Sequence, residues 1–110
     1  MTKAKAKSIR ELNDAFRTTG IGGMIELTDG VACEPPETVE AIRKAVRDHC
    51  EFTKDNDPHG EHDFGAFEVD HLRLFWKIDY YNPTMDGGSE DPTDPQVTTR
   101  VLTIMLREEY

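Results

Sequence analysis

The stretch DFGAFEVDHLRLFWKIDYY, residues 63–81, constrains the fold more than any other part of the chain. It predicts a β-hairpin with Asp70-His71 at the tip, because this register aligns an opposite-charge pair and several apolar pairs across the two arms. Gly65 then faces Trp76, and its missing Cβ leaves room for the indole ring. Alternate residues of the second arm share one face, which we expect to pack on the core: Leu72, Leu74, Trp76, Ile78 and Tyr80.

The opposite face of the second arm combines apolar and charged side chains: Phe75, Lys77, Asp79 and Tyr81. A sheet of this kind buries at least one face, so a helix could cover these residues. The face could instead be a contact patch in which Phe75 and Tyr81 are aromatic anchors. The same register predicts that His62 lies near Asp79.

Two helices and a strand are predicted before the hairpin. The first helix covers about 8–19, since Ser8 and Glu11 match a capping box. The segment 24–27 suggests a strand, and Asp29-Gly30 indicates a tight turn that could lead into a second, short strand over 31–33. The alternative is a single strand followed by a simple turn. The second helix begins near Pro35-Pro36 and carries an apolar stripe: Val39, Ile42, Val46 and Cys50.

The last segment offers two interpretations. Its β-branched residues favour a strand, but Asp94-Pro95 resembles a helix start and Val97, Val101 and Ile104 recur at helical spacing. We predict a helix. The chain is then a two-layer α+β domain in the order α-β-(β)-α-β-β-α, with about three helices on a small, mainly antiparallel sheet. Residues 1–7 are expected to be a disordered basic tail and residues 8–110 a single domain.

Charge and composition narrow the function classes. The 110-residue chain has a net charge of −9, and residues 51–95 carry an excess of that size. Such a surface repels nucleic acid and attracts basic proteins. No apolar run could span a membrane, and the basic N-terminus lacks the apolar core of a secretory signal, so the cytoplasm is expected. Cys33 and Cys50 are expected to be free and partly buried.

Two acidic segments flank the hairpin in sequence: the first acidic segment, residues 55–63, and the second acidic segment, residues 86–94. If they converge, they form a negative rim that could imitate nucleic-acid phosphates and occupy a basic groove on a partner. The alternative is that the charge only keeps the domain soluble. The residues predicted to bind a partner are the acids Asp55, Asp57, Glu61, Asp63, Asp86, Glu90, Asp91 and Asp94, with Phe75 and Tyr81 as anchors.

Chemical alternatives centre on the first acidic segment. His59, His62 and Asp63 have the residue types of a divalent metal site, which would suit a small metal-dependent enzyme. A simpler interpretation is a shaped turn in which His62 is hydrogen-bonded to Asp79. Cys50 lies on an apolar stripe and Ser89 has no positioned base nearby, so nucleophilic catalysis is not indicated. We therefore expect a non-enzymatic binding protein without a cofactor, which could also dimerise through its C-terminal helix.

Three motifs together resemble a known bacterial family: NDPHGEHDFGAFE, FWKIDYY and GSEDPTDPQVTTRVLTIMLREEY. The family is domain of unknown function 3768, and the resemblance extends from about Ile9 to Tyr110. It implies a small accessory protein, often carried on plasmids and other mobile elements, with no assigned activity or catalytic residues. That setting adds to the expectation of an antagonist of host defence, such as an anti-restriction or anti-CRISPR inhibitor.

Overall fold

The computed structural model describes residues 3–110, with side chains from Ser8 onward. Within this range the chain forms three α-helices, four strands and a closing 3-10 turn, and the predicted α+β class is confirmed. In chain order the elements are α1 (Lys3–Thr19), β1 (Gly23–Leu27), α2 (Asp29–Ala32), α3 (Pro36–Asp48), β2 (Phe64–Val69), β3 (Leu72–Tyr81), β4 (Thr99–Leu106) and the 3-10 turn Arg107–Glu109.

The four strands form one mainly antiparallel sheet in the order β1-β4-β3-β2. β2 and β3 pair in the predicted hairpin register, with Glu68 opposite Arg73 and Gly65 opposite Trp76. β4 is antiparallel to β3 and parallel to β1. At one end of the strands, β3 ends and β1, β2 and β4 begin. We call this the loop end of the sheet, and we call the opposite end the hairpin end.

The helices pack on one face of the sheet, and the core lies between the two layers. The predicted core face of β3 is confirmed, because Leu74, Trp76 and Ile78 are buried. The helices add apolar side chains from the other layer, which exclude water from this face. The buried core cluster consists of Phe16, Val31, Ile42, Val46, Leu74, Trp76, Ile78, Leu102 and Ile104. None of the helices within residues 3–110 is both long and apolar enough to cross a membrane.

The predicted C-terminal helix is wrong, because residues 99–106 form the central strand β4. This strand has neighbours on both sides and buries residues of both faces, including Val101 and Leu102. A strand buried on both faces loses the apolar–polar alternation that identifies most strands. The Asp94-Pro95 pair lies in a turn before the strand. A dimer through a C-terminal helix therefore has no structural basis.

Two other local predictions are wrong. Asp29 and Gly30 begin the short helix α2 instead of a hairpin turn, because β1 pairs with β4 and not with a strand that directly follows it in sequence. The first helix begins at Lys3, so Ser8 lies within it, and residues 3–7 of the expected disordered tail are helical. Residues 1–2 lie outside the described residues.

Both cysteines are free, as expected, but the expectation that they are partly buried is wrong. Cys33 directly follows α2 and is exposed. Cys50 lies beyond the end of α3, so it does not continue the apolar stripe of that helix. The helical spacing predicted Cys50 on the stripe only because it assumed that the helix continues past Asp48, where it ends.

Candidate functional site at the loop end

The two acidic segments meet beside the end of β3. The Ile78 amide donates a hydrogen bond to the Asp63 carbonyl oxygen at 2.8 Å, which fixes the end of the first acidic segment there. The Ser89 amide donates to the Tyr80 carbonyl oxygen at 3.0 Å, so the second acidic segment folds back on the same part of the strand. Residues that are more than twenty positions apart are thus neighbours at the loop end.

A buried polar network between the helix layer and the sheet connects the two acidic segments. Asn13 of α1 donates from Nδ2 to the Glu61 carbonyl oxygen at 3.0 Å and to the Tyr80 hydroxyl at 2.8 Å. Arg100 of β4 donates from Nε to Asn13 Oδ1 at 2.7 Å and from Nη2 to the Pro92 carbonyl oxygen. Asn13 and Arg100 are both buried. This pair therefore connects both loops to the helix layer and to the sheet.

The network is largely buried. Burial lowers the pKa of the Arg100 guanidinium, which lies over the Tyr80 ring at 5.3 Å from its centroid. Burial also raises the pKa of the Tyr80 hydroxyl well above its ordinary value, so the hydroxyl keeps its proton. It can donate to Glu61 Oε2 at 3.5 Å. A satisfied buried network of this kind makes the local geometry rigid.

Sequence reasoning did not single out Asn13 or Arg100. Asn13 is one polar residue on an amphipathic helix, a position that is usually exposed. Arg100 was assigned to a helix, and its burial depends on β4 lying at the centre of the sheet. The one available signal is that each residue is polar and directly adjoins apolar residues of the core pattern.

Most acids of the first acidic segment turn inward and do not line an exposed negative rim. Asp57 Oδ1 accepts hydrogen bonds from the backbone amides of Glu61 at 3.1 Å and His62 at 3.3 Å, and only 6% of the Asp57 side chain is exposed. Glu61 is 8% exposed and Asp63 is half-buried. Asp55 is the one exposed acid of the predicted four. Asp57 thus shapes the loop.

The buried carboxyls have perturbed acidities. Burial, with the neighbouring Asp63, raises the pKa of Glu61 above its ordinary value of 4.5. Burial also raises the pKa of Asp63, and Asp57 adds to that shift. Desolvation and like charge both disfavour the ionised form of a carboxyl, so the two effects act in the same direction here.

Stability should depend on the ionisation of Glu61. Because its pKa is raised in the folded state, its contribution to stability is present below pH 4.5 and is lost as the pH rises through the folded-state value. Glu61→Gln imitates the protonated carboxyl, so we expect a higher free energy of unfolding than wild type at pH 7 and nearly the same at pH 4. Urea denaturation across this range measures the difference.

The exposed Glu68→Gln serves as the control, because Glu68 pairs with Arg73 at the surface and a surface pair contributes little. A Glu61→Gln advantage that is constant with pH, or a loss of stability at pH 7, would contradict the ionisation argument.

The acids of the second acidic segment divide into two groups. Asp91 and Asp94 hold turns: Asp91 Oδ1 accepts from the Thr93 amide at 3.1 Å and Asp94 Oδ1 from the Gln96 amide at 2.9 Å. Asp86 and Glu90 are exposed. The pKa of Asp86 is lowered by hydrogen bonds from Thr84 and Asn82, so this carboxylate stays ionised. Exposed charge is therefore concentrated on Asp86 and Glu90.

His62 does not lie against Asp79, and that prediction is wrong. Its Nδ1 lies 2.9 Å from Asp14 Oδ1, and its ring stacks on Phe52 with centroids 3.7 Å apart. The φ angle of His62 is +54°, which turns the chain before β2 begins, so the hairpin register does not extend to it. Asp79 instead pairs with Lys77 at 2.8 Å.

The alternative metal site is not supported by the geometry. No three His, Cys, Asp or Glu side chains in the described part of the chain are placed to share a metal ion. His59 is exposed, whereas His62 points to Asp14 and Asp63 is half-buried. The three predicted ligands are close in sequence but face different surroundings.

The two predicted anchors are separated. Tyr81 lies at the loop end, where its backbone forms an isolated antiparallel β-bridge with Gly88 of the second acidic segment. Phe75 lies six residues back along β3 and contacts Phe64 and Tyr110, while Arg107 lies over its ring. The loop end therefore includes Tyr81 but not Phe75.

Comparison with known proteins identifies a family whose function is unknown. No curated protein and no solved structure matches the chain. A family model described as a protein of unknown function, DUF3768, matches residues 27–109. This range includes both acidic segments, the hairpin and β4, and it begins after α1. The chain therefore belongs to the DUF3768 family of proteins of unknown function.

Proposed function

We propose that this protein is a small non-enzymatic binding protein that docks its loop end on a basic surface of a nucleic-acid-handling partner. The observation that carries the proposal is the buried pair of Asn13 and Arg100, which bonds to both acidic segments at one end of the sheet. A binding surface made of two loops needs a rigid support, because ordering loops on binding costs affinity.

The exposed charge at this end suits such a partner. Asp55, Asp86 and Glu90 are exposed, and neither acidic segment contains a lysine or an arginine. An excess of carboxylates attracts a groove that normally holds phosphates, and it accelerates association with that groove. The adjoining Tyr81 adds an aromatic side chain to this surface.

The type of partner follows from this charge. A protein that competes with nucleic acid for a basic groove is an inhibitor, and the anti-restriction or anti-CRISPR class acts in this way. This proposal places the chain in the cytoplasm, where its partners handle nucleic acid, and is consistent with carriage on a mobile element. Direct binding to nucleic acid is disfavoured by the net charge of −9.

Affinity capture tests the proposal. The immobilised protein is incubated with a nuclease-treated bacterial lysate, and bound proteins are then challenged with duplex DNA. We expect a basic nucleic-acid-binding protein to be retained and then released by DNA, because both compete for one groove. A loop-end variant combining Asp55→Asn, Asp86→Asn and Glu90→Gln should reduce capture by about tenfold or more.

A hairpin-end variant is the matched control. It combines Asp29→Asn, Glu37→Gln and Asp70→Asn, which neutralise three exposed acids in α2, α3 and the hairpin tip. The change in net charge equals that of the loop-end variant, so only the location differs. Equal loss of capture in both variants, or a captured protein that DNA does not release, would contradict the proposal.

A further inference from the structure

The side of the sheet opposite the helices, which we call the outer face, has no helix over it within residues 3–110. All three helices contribute to the core on the other side, with Phe16 from α1, Val31 from α2 and Ile42 from α3. The strand registers place seven apolar or aromatic residues on the outer face: Met24, Phe64, Ala66, Phe75, Tyr81, Val101 and Met105. Tyr81 lies at its border with the loop end.

The outer face is more apolar than the solvated face of an antiparallel sheet usually is. Its residues in the central strand β4 include Val101 and Met105, which neighbouring side chains enclose to 3% exposure. Tyr110 lies against Phe75, with ring centroids 5.4 Å apart, and is itself 77% exposed. Met24 is 44% exposed. Aromatic side chains and methionine are enriched in protein–protein interfaces, and an apolar patch of this kind marks such a surface.

The charges of the outer face balance, in contrast to those of the whole chain. Five charged side chains of the strands lie on it, and Arg107 lies over the Phe75 ring. They are three positive and three negative groups: Arg73, Lys77, Arg107, Glu26, Glu68 and Asp79. Two pairs form within the face, one of them between Lys77 and Asp79 at 2.8 Å. Copies of a chain with a net charge of −9 repel each other, so they can approach most readily through a neutral face.

We infer that two copies of this protein dimerise by stacking their outer faces. In a symmetric dimer the same patch of each copy contacts the other. A twofold axis that crosses β3 at Ile78 reverses the strand of the second copy and places Lys77 of each copy opposite Asp79 of the other. This self-complementary charge favours a second copy over an unrelated partner. The reversal also puts the two loop ends at opposite ends of the dimer, where both stay open to the partner proposed above.

The size of the outer face agrees with a weak dimer. Four strands about 4.8 Å apart and on average about 24 Å long give a patch of roughly 500 Å² in projection. Two copies then bury roughly 1,000 Å² or more, which reaches the lower limit for a specific interface. We expect a dissociation constant on the order of 10 µM.

Sedimentation equilibrium between about 1 µM and about 300 µM tests the inference, with a monomer–dimer equilibrium expected for wild type. Lys77→Glu leaves two carboxylates in place of the ion pair, and Asp79→Lys leaves two ammonium groups. Each variant alone should therefore dimerise at least about tenfold more weakly. An equimolar mixture of the two should regain nearly the wild-type affinity, because each copy then meets the opposite charges on the other.

Lys44→Glu and Asp48→Lys are the matched control, because Lys44 and Asp48 form an exposed pair of the same kind on α3, in the helix layer. Neither control variant should change dimerisation, and circular dichroism checks that all four variants are folded. Wild type that stays monomeric at about 300 µM, an equal loss of dimer in the control variants, or a mixture of Lys77→Glu and Asp79→Lys that does not regain the dimer would each overturn the inference.

Discussion

Gly65→Ala is expected to lower the free energy of unfolding by about 3 kcal/mol, at the upper end of the usual cost of overpacking. A Cβ at this position would lie 2.2 Å from Trp76 Nε1 and 3.0 Å from His49 Cε1. The indole is fully buried at the centre of the core, so it cannot move aside without disturbing its neighbours. Denaturant titration followed by the fluorescence of Trp76, the single tryptophan, measures the loss.

Gly88→Ala is the matched control, because the nearest atom to its added Cβ is the Tyr80 carbonyl oxygen at 3.9 Å. Its effect should stay within about 0.5 kcal/mol. In a Trp76→Phe background, followed by circular dichroism, Gly65→Ala should cost clearly less than in wild type. An equal cost in both backgrounds would show that the indole is not the source of the clash.

Asn13→Ala is expected to lower the free energy of unfolding by about 4 kcal/mol, since it removes two buried hydrogen bonds and a partly buried one, and one of the three comes from a charged group. The Glu61 carbonyl oxygen and the Tyr80 hydroxyl lose the Asn13 amide, and Arg100 Nε loses its acceptor. Because the network bonds to both loops, amide hydrogen exchange should accelerate in residues 55–63 and 86–94 together.

Thr18→Ala is the control on the same helix, because the Thr18 hydroxyl is exposed and bonds only to carbonyl oxygens of α1. It should change stability by about 0.5 kcal/mol or less and leave exchange in the loops unaltered. If Asn13→Ala accelerates exchange in one acidic segment alone, the two loops do not share a support.

The hairpin could be predicted residue by residue from the sequence, because its contacts are local. A one-residue slip would have moved Trp76 from the core to solvent and separated Glu68 from Arg73, so the pattern allows one register. α3 was predictable for a similar reason, since proline at its start and a stripe containing Ile42 agree with each other.

β4 could not be identified in this way, because its identity depends on distant partners. Residues of β1 pair with β4 more than seventy positions later, and no local pattern records that pairing. Burial on both faces also hid its strand character, since the buried Val101, Ile104 and Met105 fit a helical spacing as well.

The convergence of the two acidic segments could be expected from the sequence, but the roles of the individual acids could not. The density of carboxylates singled out the two segments, which meet at the loop end. The sequence could not show which acids face water, because Asp57 and Asp94 accept hydrogen bonds from backbone amides that only the folded loops bring within reach. Hydrogen-bonding roles of this kind depend on turn geometry, and an exposed acid and a turn-forming acid look alike in sequence.

The most direct measurement is the rate of association with the captured partner as a function of ionic strength. Wild type and the hairpin-end variant should both associate rapidly at low salt and slow steeply as salt rises, because charge at the loop end steers the encounter. The loop-end variant should associate slowly throughout, with a shallow dependence on salt. A loop-end variant whose association rate and salt dependence equal those of wild type would contradict the account.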